Sequence, residues 1–408
     1  MYISIKGTGL ARSVPANVLA LGLVSLVTDI SSEMVTAVLP LYLVSALGLS
    51  LVQFGVLDGL YFGVTALVRL AGGHAADRLA RRKLVAGVGY GLSAVCKLAL
   101  LAAGGSVAAL GAVMAADRTG KGLRTAPRDA LITLSAPVDR LGGAFGVHRA
   151  MDTVGAFLGP LAAFGVLTVT AGAYDAVFVT SFCVAALGVL LLVLYVRDRR
   201  GPLPPGGRGP LRLGTLLRRA PFRRLCLVAA ALGLVTVSDS FVYLMLQKRL
   251  ALAPELFPLL PLGTAGAYLL LAVPFGRLAD RYGRAAVFAA GHVALLAAYL
   301  LLMGPAWLVP VLALHGAFYA ATDGVLMALA GPLLPEQSRT SGLALIQTGQ
   351  ATARMLSSML FGALWTVLGA TEGLAVMAAG LVLSLALAWR SLRAEGGAPM
   401  TAPSSRSR

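Results

Sequence analysis

The sequence predicts an all-α polytopic membrane protein with twelve transmembrane helices in two pseudo-symmetric six-helix bundles. Three observations predict it: a composition too apolar for water, long apolar stretches whose connectors alternate in charge, and an internal repeat. Of the 408 residues, 58% are apolar and only 12% are charged. Soluble domains carry roughly 25% charged residues, and a mean hydropathy of +0.83 leaves too little polar surface to face water.

A helix needs roughly 20 apolar residues to cross the hydrocarbon core. Spans are expected near 17–45, 51–75, 84–105, 107–126, 142–170 and 174–196. Six more are expected near 222–247, 256–279, 284–303, 306–331, 340–367 and 372–390. The net charge of +17 is distributed by side rather than by patch. Arg78, Arg81, Arg82 and Lys83, then Arg128 and Arg140, Arg277, Arg281 and Arg284, Arg339, and Arg390 with Arg393 fall on one side. The intervening connectors are nearly uncharged, apart from Lys248 and Arg249. This is the positive-inside pattern. It excludes a nucleic-acid patch and places both termini in the cytoplasm of a bacterial inner membrane.

Residues 197–224 are rich in Pro, Gly and Arg and read as a cytoplasmic linker. The expected organisation is a bundle over 1–196, the linker, a bundle over 225–393 and a disordered tail over 394–408. Cys96, Cys183 and Cys226 lie in apolar stretches without metal-ligand spacing and read as small core residues.

The two halves echo each other. Gly73, Asp77, Arg78, Arg81 and Arg82 after span two recur as Gly276, Asp280, Arg281 and Arg284 after span eight, with Gly283 in the position of Ala80. LGLVSLVTD ending at Asp29 is echoed by LGLVTVSD ending at Asp239, and the openings of spans five and eleven also align. Three pieces in the same order mark a duplication, and paired halves around a central site are a transporter architecture.

These motifs resemble the major facilitator superfamily over essentially the whole chain. The loop motif is similar to that family's signature between helices two and three. Arg118, Lys121, Gly122 and Arg124 of span four resemble its Arg-x-x-Gln-Gly pattern, with Lys121 in place of Gln. Gly155, Gly159 and Pro160 of span five resemble its antiporter element, with Ala163 where a Gly is expected. The resemblance implies a drug/proton antiporter-like subgroup, a proton-coupling role for Arg118 and a monomer. The loop motifs read as a conformational latch: Gly73 allows close packing, Asp77 caps a helix or pairs with Arg, and the basic residues hold the headgroups. The bland reading of the same loop is topology alone.

Ionisable groups inside spans cost roughly 2.5–3.5 kcal/mol each on insertion scales. Asp29 and Glu33, four apart in span one, share a helix face. Two carboxylates so placed resist joint ionisation, so one is expected to hold a proton near neutral pH. Arg118 is expected to pair with Asp29 or Glu33, and Lys97 to neutralise a carboxylate or attract an anion. Lys121 and Arg124 either join this set or snorkel. Asp58, near the outer end of span two, is expected to meet water, while Arg69 snorkels. Asp152 follows His148 by one turn, in a functional or a structural pair. In the second half, Asp239, Asp323, Gln347, Gln350 and Arg354 are substrate-cavity candidates.

No phosphate-binding loop, nucleophile turn or metal signature is present, so neither catalysis nor ATP use is expected. The expected energy source is the proton motive force, with no cofactor and no metal. The leading expectation is proton-coupled efflux of a small organic solute by alternating access. Uptake by symport or facilitation, and a non-transporting sensor or assembly factor, are the alternatives.

Overall fold

The computed structural model describes residues 14–78, 81–137, 140–199, 216–305, 307–335 and 339–396. Among them the secondary structure is entirely helical. The first half holds α1 (Ala16–Leu41), α2 (Leu51–Arg78), α3 (Arg82–Ala103), α4 (Val107–Ser135), α5 (Leu141–Val169) and α6 (Tyr174–Tyr195). The second holds α7 (Ala220–Leu234), α8 (Asp239–Leu250), α9 (Leu260–Tyr282), α10 (Arg284–Met303), α11 (Leu308–Ala330), α12 (Arg339–Leu368) and α13 (Ala370–Gly396).

Local chemistry explains the helix ends. Ser50 and Gln53 form a reciprocal capping box at the start of α2: Ser50 N donates to Gln53 Oε1 at 2.9 Å and Gln53 N to Ser50 Oγ at 3.2 Å. Ser106 caps α4 by accepting from Ala109 N. Pro40, which lacks an N–H, precedes a turn of π-helix over Tyr42–Ala46 at the end of α1. Gly283 turns the chain between α9 and α10 at φ +97°, a left-handed conformation that disfavours any side chain.

Ten helical segments among the described residues are long and apolar enough to cross a membrane. Of the twelve expected spans, α2 and α4 fall outside that set. Leu51–Thr65 of α2 is apolar, with the side chains beyond it mostly outside the described residues, and α4 carries six charged residues. Both helices nevertheless exceed spanning length, with 28 and 29 residues.

Span seven, expected as one helix over 222–247, is broken. α7 stops at Leu234, Val235–Ser238 leaves the helix, and α8 begins at Asp239. Val235, Thr236 and Val237 are a β-branched run, followed by Ser and Asp, which favour helix starts over interiors. Tyr299 Oη donates to Val235 O across the break at 3.3 Å. The matching stretch of α1 is continuous, so the repeat is asymmetric here. Residues 220–224 of the expected linker form the start of α7, where buried Phe222 packs with Leu216 and Leu334.

Contacts group the chain into two compact units. The first combines residues 1–207 with 237–264 and 354–373, and the second takes 208–236, 265–353 and 374–408. Within the first unit α1 packs most extensively on α5 and α6, and α3 on α4. Its core includes Val18, Leu21, Val24, Tyr90, Leu131 and Leu192. Leu187, Leu190, Val193 and Leu194 of α6 are exposed, as a lipid-facing surface requires.

Candidate functional site

The ionisable groups of the first six helices converge into a buried network that begins at α1. Ser31 and Ser181 clasp α1 to α6, each hydroxyl donating to the other's carbonyl at 2.7 Å. On another side of α1 the turn from Leu26 to Met34 lies against α5. A Cβ added to Gly155 would stand 2.5 Å from Leu26 O and 3.2 Å from Asp29 Cβ. One added to Gly159 would stand 2.6 Å from Glu33 Cβ and 2.8 Å from Ile30 O. The span-five motif therefore seats the two carboxylate-bearing turns of α1.

On α4, Arg124 Nη2 reaches Asp29 Oδ1 at 3.3 Å and its guanidinium stacks over the Tyr90 ring. Arg118 does not take Asp29, contrary to one expected pairing. Depth explains this: α1 and α4 run in opposite directions with a rise of about 1.5 Å per residue. Asp29 is 13 residues from the start of α1, and Arg124 is 11 from the end of α4, whereas Arg118 is 17 away. Arg118 is level instead with Glu33, which feels the charges of Lys121, Asp29, Arg118 and Asp117. Lys121 and Gly122 sit half-buried beside it, with Gly122 facing Val68.

Asp117 is the hub that sequence reasoning passed over. Arg118 donates to it through Nε at 3.1 Å and through Nη2, Ser93 Oγ donates to its Oδ1, and Lys97 Nζ lies 3.8 Å away. Arg118 Nη1 donates to Tyr61 Oη at 2.9 Å while the guanidinium covers the Tyr61 ring at 4.1 Å. Lys97 also donates to Ser93 O at 3.0 Å, which fixes its ammonium inside the bundle. These groups line a cavity walled by Ser32, Thr36, Val113 and Met114.

A third cluster lies nearer the N-terminal end of α1. His148 Nδ1 is 3.5 Å from Asp152 Oδ2, and its Nε2 is 3.1 Å from Ser25 Oγ. Arg128 donates to that same hydroxyl at 3.3 Å, pairs with Asp129 at 3.1 Å and lies 3.9 Å from Asp152. Ser25 precedes Asp29 by one turn, so helical spacing from Asp29 was the signal that could have found it.

Other expected residues are placed differently. Asp58 is buried, not hydrated, because α2 packs closely against α12 around Met355 and Ser358. Asp239 opens α8 half-buried, Arg354 and Gln350 are half-buried, and Asp323 and Gln347 are exposed, with the Gln347 amide near Met327 sulfur. In the first loop motif Gly73, Asp77 and Arg78 close α2, and their side chains lie outside the described residues, as does that of Arg69. Arg81 is exposed, and Arg82 donates to Arg199 O at 3.2 Å beyond α6. In the second copy Arg284 lies 4.0 Å from Asp280 and donates to Ala328 O at 2.8 Å, Arg281 covers the Tyr282 ring, and Gly276 faces open space rather than a neighbour. Among the described residues no group of His, Cys, Asp and Glu is arranged to hold a metal.

The family model described as Major Facilitator Superfamily matches residues 21–267 and 240–407. The chain belongs to the Major Facilitator Superfamily. It is 30% identical over 366 residues to an uncharacterized MFS-type transporter of Methanocaldococcus jannaschii, covering 87% of this chain and 90% of that one. A 200-residue stretch is 33% identical to an uncharacterized protein of Mycobacterium tuberculosis, covering 49% of this chain and 43% of the other. The fold is shared with solved transporters. The peptide transporter POT superimposes with TM-score 0.76 at 18% identity, covering 96% and 99% of the two chains. The nucleoside transporter NupG gives 0.75 at 14%, covering 92% and 99%. A bacterial homolog of the human lysosomal transporter Spinster, inward-facing and unoccupied, gives 0.72 at 17%, covering 95% and 98%. The chain is a multi-pass membrane protein of a transporter superfamily, and the likeness to the solved structures carries the fold alone.

Proposed function

We propose that this protein is a proton-driven exporter of a small organic solute, working by alternating access in a bacterial inner membrane with both termini cytoplasmic. One observation carries the reading: the Asp29–Glu33 face of α1 is seated on Gly155 and Gly159 of α5 and touched by Arg124 of α4. A charged pair buried inside a span is costly and persists where it does work. Ionised, Asp29 holds Arg124. Protonated, it releases that guanidinium and loosens α1 from α4, so proton binding biases the packing of a helix.

The Lys97–Asp117–Arg118 cluster keeps two cations fixed beside the cavity, and Lys121, ahead of Arg118, supplies the positive field at Glu33. The proton motive force supplies the energy, the working unit is a monomer, and the second-half residues Asp239, Asp323, Gln347, Gln350 and Arg354 shape the solute site. The loop motifs around Asp77 and Asp280 latch the cytoplasmic ends.

The test is accumulation of a dye and antibiotic panel in cells lacking their own efflux pumps, comparing wild type, Asp29→Asn and empty vector at matched membrane expression. Lower accumulation with wild type only, abolished by a protonophore, is expected. Raised accumulation would instead establish uptake. Export that survives in Asp29→Asn would remove that carboxylate from the coupling path.

A further inference from the structure

One buried carboxyl lies outside the network just described. Asp58, two turns into α2, is 8% exposed and accepts a hydrogen bond from Ser358 Oγ of α12 at 2.6 Å. Ser238, at the break before α8, and Ser240, in the first turn of α8, face the same carboxyl. Ser238 Oγ is itself buried and makes no aligned hydrogen bond. No Lys or Arg among the described residues forms an ion pair with Asp58, and the charged group acting on it is a second carboxylate, Asp239. By register the other titratable groups on these elements nearest to it are Tyr61 on α2, Tyr243 on α8 and Arg354 on α12.

The surroundings are sealed. A methyl on Gly55 would stand 2.6 Å from Ser358 O, and one on Gly59 would stand 2.7 Å from Met355 O, so backbones touch here. Toward the outer ends Phe54, Phe241, Phe361 and Trp365 stack in a chain with centroids 4.9 to 5.8 Å apart. An ionised carboxylate buried without a cation costs several kcal/mol. A hydroxyl oxygen 2.6 Å from Oδ2 leaves no space for a metal ion between them. The neutralising partner that fits is a proton.

We propose that Asp58 is a proton-binding site that operates an outer gate: its carboxyl is protonated while α2, α8 and the outer part of α12 are packed, and ionises to water on the outer side when they part. The proton comes from and returns to the same side. It therefore makes closure depend on outer pH without adding to the protons carried per cycle. The inference rests on the alternating-access reading, but its test reads conformation, not flux.

Trp365 supplies the probe. With Trp307→Phe and Trp389→Phe in the full-length chain in lipid vesicles, Trp365 is the sole indole. Raising outer pH should shift its emission to the red and raise quenching by a water-soluble quencher several-fold. Asp58→Asn, a mimic of the protonated group, should stay blue and shielded at every pH. Asp58→Glu should restore a pH response with a displaced midpoint. A response that persists unchanged in Asp58→Asn overturns the proposal, as does one that follows sodium at constant pH. Asp29→Asn should abolish driven export yet leave the Trp365 response intact, so failure of either reading is seen separately.

Discussion

Gly159→Ala places a methyl where α1 already stands. Its carbon would be 2.6 Å from Glu33 Cβ, 2.8 Å from Ile30 O and 3.0 Å from Met34 N. Non-bonded carbons sit about 3.5–4.0 Å apart, so α1 and α5 must separate by about 1 Å. Two of the three obstructing atoms are backbone, and the third is a Cβ, so no rotamer change relieves the clash. Overpacking of this kind costs about 1–3 kcal/mol, and the upper part of that range applies because the helix pair itself must yield. A cost of about 2–3 kcal/mol changes an equilibrium roughly 30- to 150-fold. The purified variant should melt several degrees lower and export less at equal expression. Gly165→Ala is the control on the same helix, since a methyl there meets nothing within 4 Å. That variant should be neutral or gain about 0.5–1 kcal/mol from helix propensity. Equal melting and equal turnover in the two variants would refute the close seating of α5 on the carboxylate face.

Removing the hub by Asp117→Asn leaves Lys97 and Arg118 buried without their shared carboxylate and should cost about 3–5 kcal/mol; thermal unfolding in detergent reads this directly. Asp29→Asn and Arg124→Gln should be non-additive by about 0.5–3 kcal/mol in a double-mutant cycle on stability, and simple additivity would show that the 3.3 Å pair is not coupled. Gly283→Ala forces a side chain into φ +97° and should destabilise by about 1–3 kcal/mol, while Gly276→Ala, in open space, should not. Ser31→Ala leaves the α6 serine hydroxyl its bond to the Ser31 carbonyl, so it should cost only about 1 kcal/mol, against a larger loss for the bulkier Ser31→Leu.

Much of the helix plan was legible because it rests on local chemistry. Apolar run length, basic connectors and turn residues act within a few positions, so the edges of α1, α3, α5 and α6 fall close to expectation. The exception in span seven is also local in origin: a β-branched run followed by Ser238 and Asp239 tips the backbone out of the helix, but hydropathy averaging hides it. The shortfall of α4 on composition grounds has the opposite cause, since Arg118, Arg124 and Arg128 are spent inside the bundle rather than at its ends.

For the candidate site, sequence alone determined which side chains were anomalous: Asp29, Glu33, Lys97, Arg118 and Asp152 announce themselves by the cost of burying charge. It also marked Gly155 and Gly159 as a place of close approach. Only the tertiary structure decided the partners. Asp29 met Arg124 rather than Arg118 because antiparallel helices match residues by depth, a quantity set by where each helix begins in the bilayer. Asp117 became the centre of a cluster because α3 and α4 bring Ser93 and Lys97 onto it. Asp58 was sealed because glycines let α2 touch α12 about 300 positions away in sequence. Helical register orders side chains along one element, but which faces meet is fixed by packing among elements, and no local pattern encodes that.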